Sequence, residues 1–208
     1  LIQKQIKCGD SVDVDAIQKY LDVVMEEVER LNGIVIDFLF AVRPMNTDLE
    51  RRDLNALVHD TMEFVKYELQ ESDVKIEERF DEQLPELDLD EKYIKQALLN
   101  IIKNAISAMP EGGVLTLSTS VQGDEAVLDI SDEGVGIPEE NVSKIFEPYF
   151  TTKEFGSGLG LTVVYKIIRE HGGEVSVSSK VGEGTTFSLS FPIPRSEHKM
   201  IGWRENSA

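Results

Sequence analysis

Asn100 and Asn104 stand four residues apart within Glu91 to Met109, a stretch whose apolar residues Ile94, Ala97, Leu98, Ile101, Ile102, Ala105, Ala108 and Met109 recur at helical spacing. That spacing puts both amides in one line along the edge of the polar side. Their oxygens are hard ligands of the kind Mg²⁺ takes, and Mg²⁺ draws few ligands from protein and the rest from phosphate and water. Standing alone, two such asparagines are more often solvated or packed than metal-bound. Asp132 follows the alternating residues Ala126, Leu128 and Ile130, so two-residue parity aims it at their face. An inward carboxylate requires a donor, and the exocyclic amine of adenine is one. Glu133-Gly134-Val135-Gly136-Ile137-Pro138 comes next, with glycines that let backbone approach a flat ring closely. By itself this segment also reads as an acidic turn closing a strand. Gly156-Ser157-Gly158-Leu159-Gly160-Leu161 opens a helix that runs to Glu170, and N–H groups at a glycine-rich helix start bind phosphate. Its spacing is not the dinucleotide fingerprint, and no G-x-x-x-x-G-K-[ST] run occurs. Gly182-Glu183-Gly184-Thr185 is a third glycine turn, alone no more than a hairpin.

The elements that must position these groups follow from periodicity. Ile17, Leu21, Val24, Val28, Leu31, Val35, Phe38 and Val42 alternate in four-three steps, a heptad seam over Asp15 to Val42 that needs partner helices. Periodicity alone fits a coiled-coil spacer as well as one helix of a bundle. Gly9-Asp10 reads as a turn before the seam, Leu1 to Lys7 as the end of an earlier helix, and Arg43-Pro44 as the stop. Asp53 caps a helix with the stripe Leu54, Leu57, Val58, Met62, Val65 and Leu69. Strands follow at Val74 to Phe80 and Leu87 to Leu89, and Asp90 caps the asparagine helix. Then come strands Val114 to Val121 and Ala126 to Ser131, an irregular stretch Glu133 to Ser157, the glycine-started helix, and strands Glu174 to Ser179 and Thr185 to Phe191. This order predicts an α+β two-layer sandwich with helices on one face of a mixed sheet, preceded by a helical hairpin fragment. The divisions are 1–45, 46–194 and a tail, 195–208, without periodicity.

Composition narrows the partners. The 208 residues carry a formal net charge of −18, with 39 acidic residues spread over helices and turns. So acidic a chain repels a nucleic-acid backbone, whereas a single nucleotide can bind where backbone N–H groups and a metal supply local positive charge. An apolar share of 41% is enough for a core. The single cysteine, Cys8, forms no internal disulfide and no zinc set, which fits a reducing cytoplasm. No apolar run approaches the roughly 18 residues of a membrane span, so membrane contact is not expected from this segment.

Taken in order, the asparagine helix, Asp132-Glu133-Gly134-Val135-Gly136, Phe146-Glu147-Pro148-Tyr149-Phe150, Gly156-Ser157-Gly158-Leu159-Gly160 and Gly182-Glu183-Gly184-Thr185 resemble the N, first glycine, F, second glycine and third glycine boxes of sensor histidine kinases. The resemblance covers nearly all of Asp53 to Pro192 and implies a site for Mg-ATP. It implies that Asp132 accepts from adenine, that Gly134 and Gly136 shape the base pocket, and that Asn104, with Asn100, reaches Mg²⁺. Glu133 to Ser157 becomes an ATP lid anchored by Phe146 and Phe150. Gly156, Ser157, Gly158, Leu159 and Gly160 cradle phosphates, Lys153 neutralises the terminal one, and Thr185 belongs to the third glycine turn beside the base. Chaperone, gyrase and related branches of the superfamily place a glutamate four residues before the metal asparagine. Here Asn100 stands there, and an amide cannot serve as general base. That favours transfer to an imidazole, already nucleophilic when neutral.

The resemblance also implies an acceptor histidine on the first hairpin helix, then transfer to a response-regulator aspartate and dimerisation through 15–42. No His-Glu stretch ending in Asn-Pro or Thr-Pro occurs. His59-Asp60 lies on the wrong helix and reads as a partly exposed structural histidine. His171, before Gly172-Gly173, suits a helix C-terminus, and His198 falls in the tail. The alternatives are an ATP-hydrolysing clamp or chaperone module of the same fold and a non-catalytic scaffold.

Overall fold

The computed structural model describes residues 14–42, 45–71, 73–153 and 156–194. The helix end expected at Leu1 to Lys7, the turn at Gly9-Asp10, the stop at Arg43-Pro44, Cys8 and the tail with His198 lie outside the described residues.

Helix α1 spans Val14–Val42. Its seam residues Leu21, Val24, Val28, Leu31, Val35 and Phe38 are each between 43% and 56% exposed, so among the described residues this apolar edge is left largely open. Strand β1 (Glu50–Arg52) pairs antiparallel with β3 (Leu87–Leu89) in a small second sheet. Sequence reading missed β1, because three exposed charged residues in a row carry no alternation. Helix α2 (Leu54–Glu71) starts on Asp53, whose Oδ1 accepts from Asn55 N at 2.8 Å and Ala56 N at 3.2 Å. Helix α3 (Glu91–Ala108) starts on Asp90, which accepts from Lys92 N and Tyr93 N.

The main sheet runs β2 (Val74–Arg79), β4 (Gly113–Gln122), β5 (Glu125–Asp132), β7 (Gly184–Pro192), β6 (Glu174–Lys180). The β2 and β4 strands are parallel and every other pair is antiparallel, which is the expected mixed sheet. The register lines up Leu117, Ile130, Phe187 and Val177 across four strands, with Thr119, Leu128, Leu189 and Val175 in the next row. Leu117, Ile130 and Phe187, like Leu128 and Leu189, are buried, and they join Ile94, Leu98, Ile101 and Ile102 of α3 in one core. The rows between them carry Thr116, Ser131, Thr186 and Ser178, then Ser118, Asp129, Ser188 and Ser176. Helices therefore cover one face only, because the opposite face is hydroxyl-rich.

Helix α5 (Gly160–Glu170) packs its Val163, Val164, Ile167 and Ile168 into the same core beside α3. Glu133 to Ser157 is not irregular throughout. A one-turn helix, α4 (Glu139–Val142), begins after Pro138, with acidic Glu139 and Glu140 in its first turn.

Candidate functional site

One edge of α3 organises the site. Asn100, Asn104 and Ala108 follow one another at four-residue steps and therefore stack along about 12 Å of helix. Each meets a different segment. Asn100 Nδ2 donates to the carbonyl of Gly160, the first residue of α5, at 3.1 Å. Asn104 Oδ1 accepts from Lys153 Nζ at 3.1 Å. The carbonyl of Ala108 accepts from Val135 N at 3.0 Å. The start of α5, Lys153 and the glycine loop after Asp132 are thus brought to one side of one helix.

Asp132 is 8% exposed and sits in the core-facing row with Leu115 and Thr185. Its Oδ1 accepts from Gly134 N at 2.9 Å. Burial pushes its carboxyl above the ordinary aspartate value, and the backbone N–H groups of Gly134 and Thr185 pull it back in part. A carboxylate has about four lone-pair directions, so acceptor capacity is left for one more donor. The glycines after it dock the loop on the protein's own backbone. A Cβ on Gly134 would lie 2.6 Å from Ala108 O, and one on Gly136, at φ +71°, 2.2 Å from Lys180 O. This close approach fixes the loop against α3 and β6.

Ser179 of β6 was invisible in the sequence, where nothing distinguishes it from its neighbours. Its hydroxyl accepts from Ile137 N at 2.8 Å, donates to Gly184 O at 2.9 Å and lies 2.9 Å from Thr185 Oγ1. It ties the first glycine loop to the Gly182–Thr185 turn on either side of Asp132.

At the other end, the N–H groups of Gly160, Leu161 and Thr162 have no acceptor within α5, as in any first helical turn. Leu159 N donates to Ser157 Oγ at 3.3 Å, and no side chain caps the helix from Leu159. Gly158, at φ +66°, lets the chain pass against Tyr149, where a Cβ would lie 2.4 Å from the Tyr149 carbonyl carbon. Tyr149 N donates to Gly158 O at 2.9 Å and closes the loop 149–158 at its neck. Phe146 and Phe150 are partly buried against the core, and the Phe146 ring lies 5.8 Å from that of Tyr165 on α5. Thr162 Oγ1 donates to Phe146 O at 3.1 Å, a second tie between this segment and α5. Gly156 faces the Thr151 hydroxyl inside the loop. Lys153 is an exposed residue, and partial desolvation holds its ammonium below the ordinary lysine value.

The model for the family described as histidine kinase-, DNA gyrase B- and HSP90-like ATPase matches residues 89–195, which hold every group above. The chain belongs to this family. Within the family it is similar to sensor histidine kinases. It is 34% identical over 175 residues to sporulation kinase E of Bacillus subtilis, covering 84% of this chain and 24% of that one. It is 36% identical over 171 residues to the sensor histidine kinase ZraS of Escherichia coli, covering 82% and 37%. The chain thus spans well under half the length of these relatives. Among solved structures, ShkA in complex with AMPPNP superposes with a TM-score of 0.76 at 26% identity, covering 86% of this chain and 39% of that one. ThkA in complex with the response regulator TrrA gives 0.77 at 27% identity, covering 93% and 55%. The α+β fold of the histidine-kinase ATPase type is therefore the fold of this chain.

Two of the three histidines are accounted for. His59 is exposed on α2, with Nδ1 3.4 Å from Glu78 Oε2, and lies apart from the site. His171 is 5% exposed at the end of α5, where its Nδ1 is 2.7 Å from Ile167 O, the helix-end role expected of it. No helix among the described residues is long and apolar enough to cross a membrane.

Proposed function

We propose that this chain is the Mg-ATP-binding catalytic portion of a protein-histidine kinase in a two-component signalling system. The observation that carries the reading is the single α3 edge, where Asn100, Asn104 and Ala108 meet the α5 start, the lid lysine and the Asp132 loop in that order. A nucleotide lying along this edge has its phosphates at the Asn100 end and its base at the Asp132 end. Asp132 accepts from the adenine amine, and Gly134, Gly136 and Thr185 wall the base. Gly156 to Gly160 present backbone N–H groups to the phosphates, with the helix dipole behind them.

The residues present fit a metal. Asn104 already holds a cationic group on its Oδ1, the ammonium of Lys153, and Asn100 stands one turn away. Mg²⁺ bound there would neutralise charge on the phosphate oxygens during transfer. Lys153 meets the terminal phosphate, and Phe146 and Phe150 hold the lid to the core while it moves. These residues position and neutralise, and none is placed as a nucleophile.

The acceptor histidine belongs to a hairpin helix outside these 208 residues, and a response-regulator aspartate takes the phosphoryl group next. The exposed seam of α1 pairs with that of a second copy, in the cytoplasm. Calorimetric titration with a non-hydrolysable ATP analogue, with and without Mg²⁺, tests the binding. Transfer of labelled γ-phosphate to a separately supplied acceptor hairpin tests the kinase reading, and release of free phosphate without transfer would replace it with a hydrolase.

A further inference from the structure

We propose that Lys153 is a latch on the metal position, holding the Asn104 oxygen while no nucleotide is bound, so that metal reaches Asn104 only together with a nucleotide that displaces the lysine. This rests on the nucleotide reading above. Lys153 and Asn104 are 49 residues apart in sequence, yet Nζ lies 3.1 Å from Oδ1. An amide offers no formal charge, so the contact is a charge-to-dipole hydrogen bond and not an ion pair.

The exposed lysine is brought to Asn104 by the loop that carries it. The loop carrying it is closed at its neck by Tyr149 N on Gly158 O at 2.9 Å, and Lys153 N donates to Thr151 Oγ1 at 3.1 Å within it. Asn104 stands on α3, whose neighbouring turns are buried through Ile101, Ile102 and Ala105. Asn100, one turn earlier, has its Nδ2 on the Gly160 carbonyl at 3.1 Å and its Oδ1 3.5 Å from Gln96 Nε2, so it does not meet the lysine. Asn104 Oδ1 is therefore the amide oxygen that faces the lid. An ammonium and a divalent ion cannot share one oxygen at contact distance, because like charges a few ångströms apart repel strongly even in a half-exposed site. The lysine must leave before metal coordinates, and a nucleotide phosphate is the group that both draws it off and brings the metal.

The consequence is that the latch opposes binding only when metal accompanies the nucleotide. The probe is ADP, which lacks the terminal phosphate, so loss of a lysine contact to that phosphate does not mask the effect. Calorimetry on the full 208-residue chain and on Lys153→Met compares ADP with Mg²⁺ and ADP with chelator. Lys153→Met is expected to bind Mg-ADP about three- to tenfold more tightly, the scale of one charged hydrogen bond at a partly exposed site, and to gain nothing, or to lose affinity, for metal-free ADP, where the ammonium faces phosphate with no competing metal. Placing Lys153→Met on top of Asn104→Ala should add nothing. In the nucleotide-free chain, amide exchange across 149–153 should quicken alike in Lys153→Met, Asn104→Ala and the double variant. Equal or weaker Mg-ADP binding by Lys153→Met, or the same tightening in chelator, overturns the latch while nucleotide binding stands. A parent chain that takes up ADP in neither condition sinks the nucleotide reading itself.

Discussion

His171 Nε2 lies 2.9 Å from the backbone N–H of Asp90, so the last turn of α5 is tied to the residue that caps α3. A carbonyl only accepts, so Nδ1, 2.7 Å from Ile167 O, carries the proton and Nε2 accepts from Asp90. The neutral imidazole thereby joins α5, which starts at Gly160, to α3, which carries Asn104.

Burial is the main reason His171 loses its proton more readily than an ordinary imidazole, with the Ile167 carbonyl and the nearby Asp90 and Glu170 opposing it. A folded value below the unfolded one means that the unfolded chain binds more protons between the two. Stability is thus full above about pH 6.5 and declines as pH falls through the folded value, by up to about 1.4 kcal/mol per pH unit. Urea unfolding from pH 7.5 to 5 should show this decline, and His171→Gln should flatten it while lowering stability at pH 7.5 by about 1–2 kcal/mol. An undiminished slope in the variant would assign the decline elsewhere.

Asp132 has the opposite sign. Its carboxyl is raised by burial, so the contribution to folding is present below about pH 3.9 and is lost as pH rises through the folded value. At neutral pH the buried charge opposes folding. Asp132→Asn keeps an oxygen for Gly134 N and removes that charge, so the nucleotide-free variant should melt at the same temperature or higher. Its affinity for adenine nucleotides should fall by about tenfold or more, since a carboxylate acceptor is lost. Scanning calorimetry and nucleotide titration check the two halves separately.

Gly158→Ala tests the neck of the lid loop. The added Cβ meets Tyr149 backbone at 2.4 Å, in a conformation that side chains rarely adopt. The strain, about 1–3 kcal/mol, should open the loop while leaving the core intact. Nucleotide affinity is expected to drop with little change in melting temperature, whereas Gly160→Ala, with 3.7 Å to its nearest neighbour at Asn100, should be far milder.

Leu31→Asp tests the seam. Leu31 is 49% exposed at the middle of the α1 apolar edge, and a charge there should be tolerated by a lone helix but not by a packed pair. Sedimentation should find the parent chain dimeric and the variant monomeric, both still binding nucleotide. A parent that sediments as a monomer at every concentration would remove the proposed pairing.

The sequence alone determined the elements and their order, because periodicity, caps and glycine turns are local. Asp53 and Asp90 start their helices where expected, and two-residue parity along β5 did turn Asp132 toward the core. It also determined which residue types were available, since an ordered set of glycine, asparagine and aspartate motifs survives without coordinates. What only the tertiary structure decided is where those motifs meet. Gly160, Lys153 and Val135 converge on one edge of α3 from segments 27 to 60 residues away along the chain, and nothing local encodes such pairings. The β1 strand, the Ser179 junction and the His171 tie to Asp90 were hidden for the same reason. Each is a pairing between ordinary residues distant in sequence, and the partner is chosen by how helices and strands pack rather than by any pattern near it.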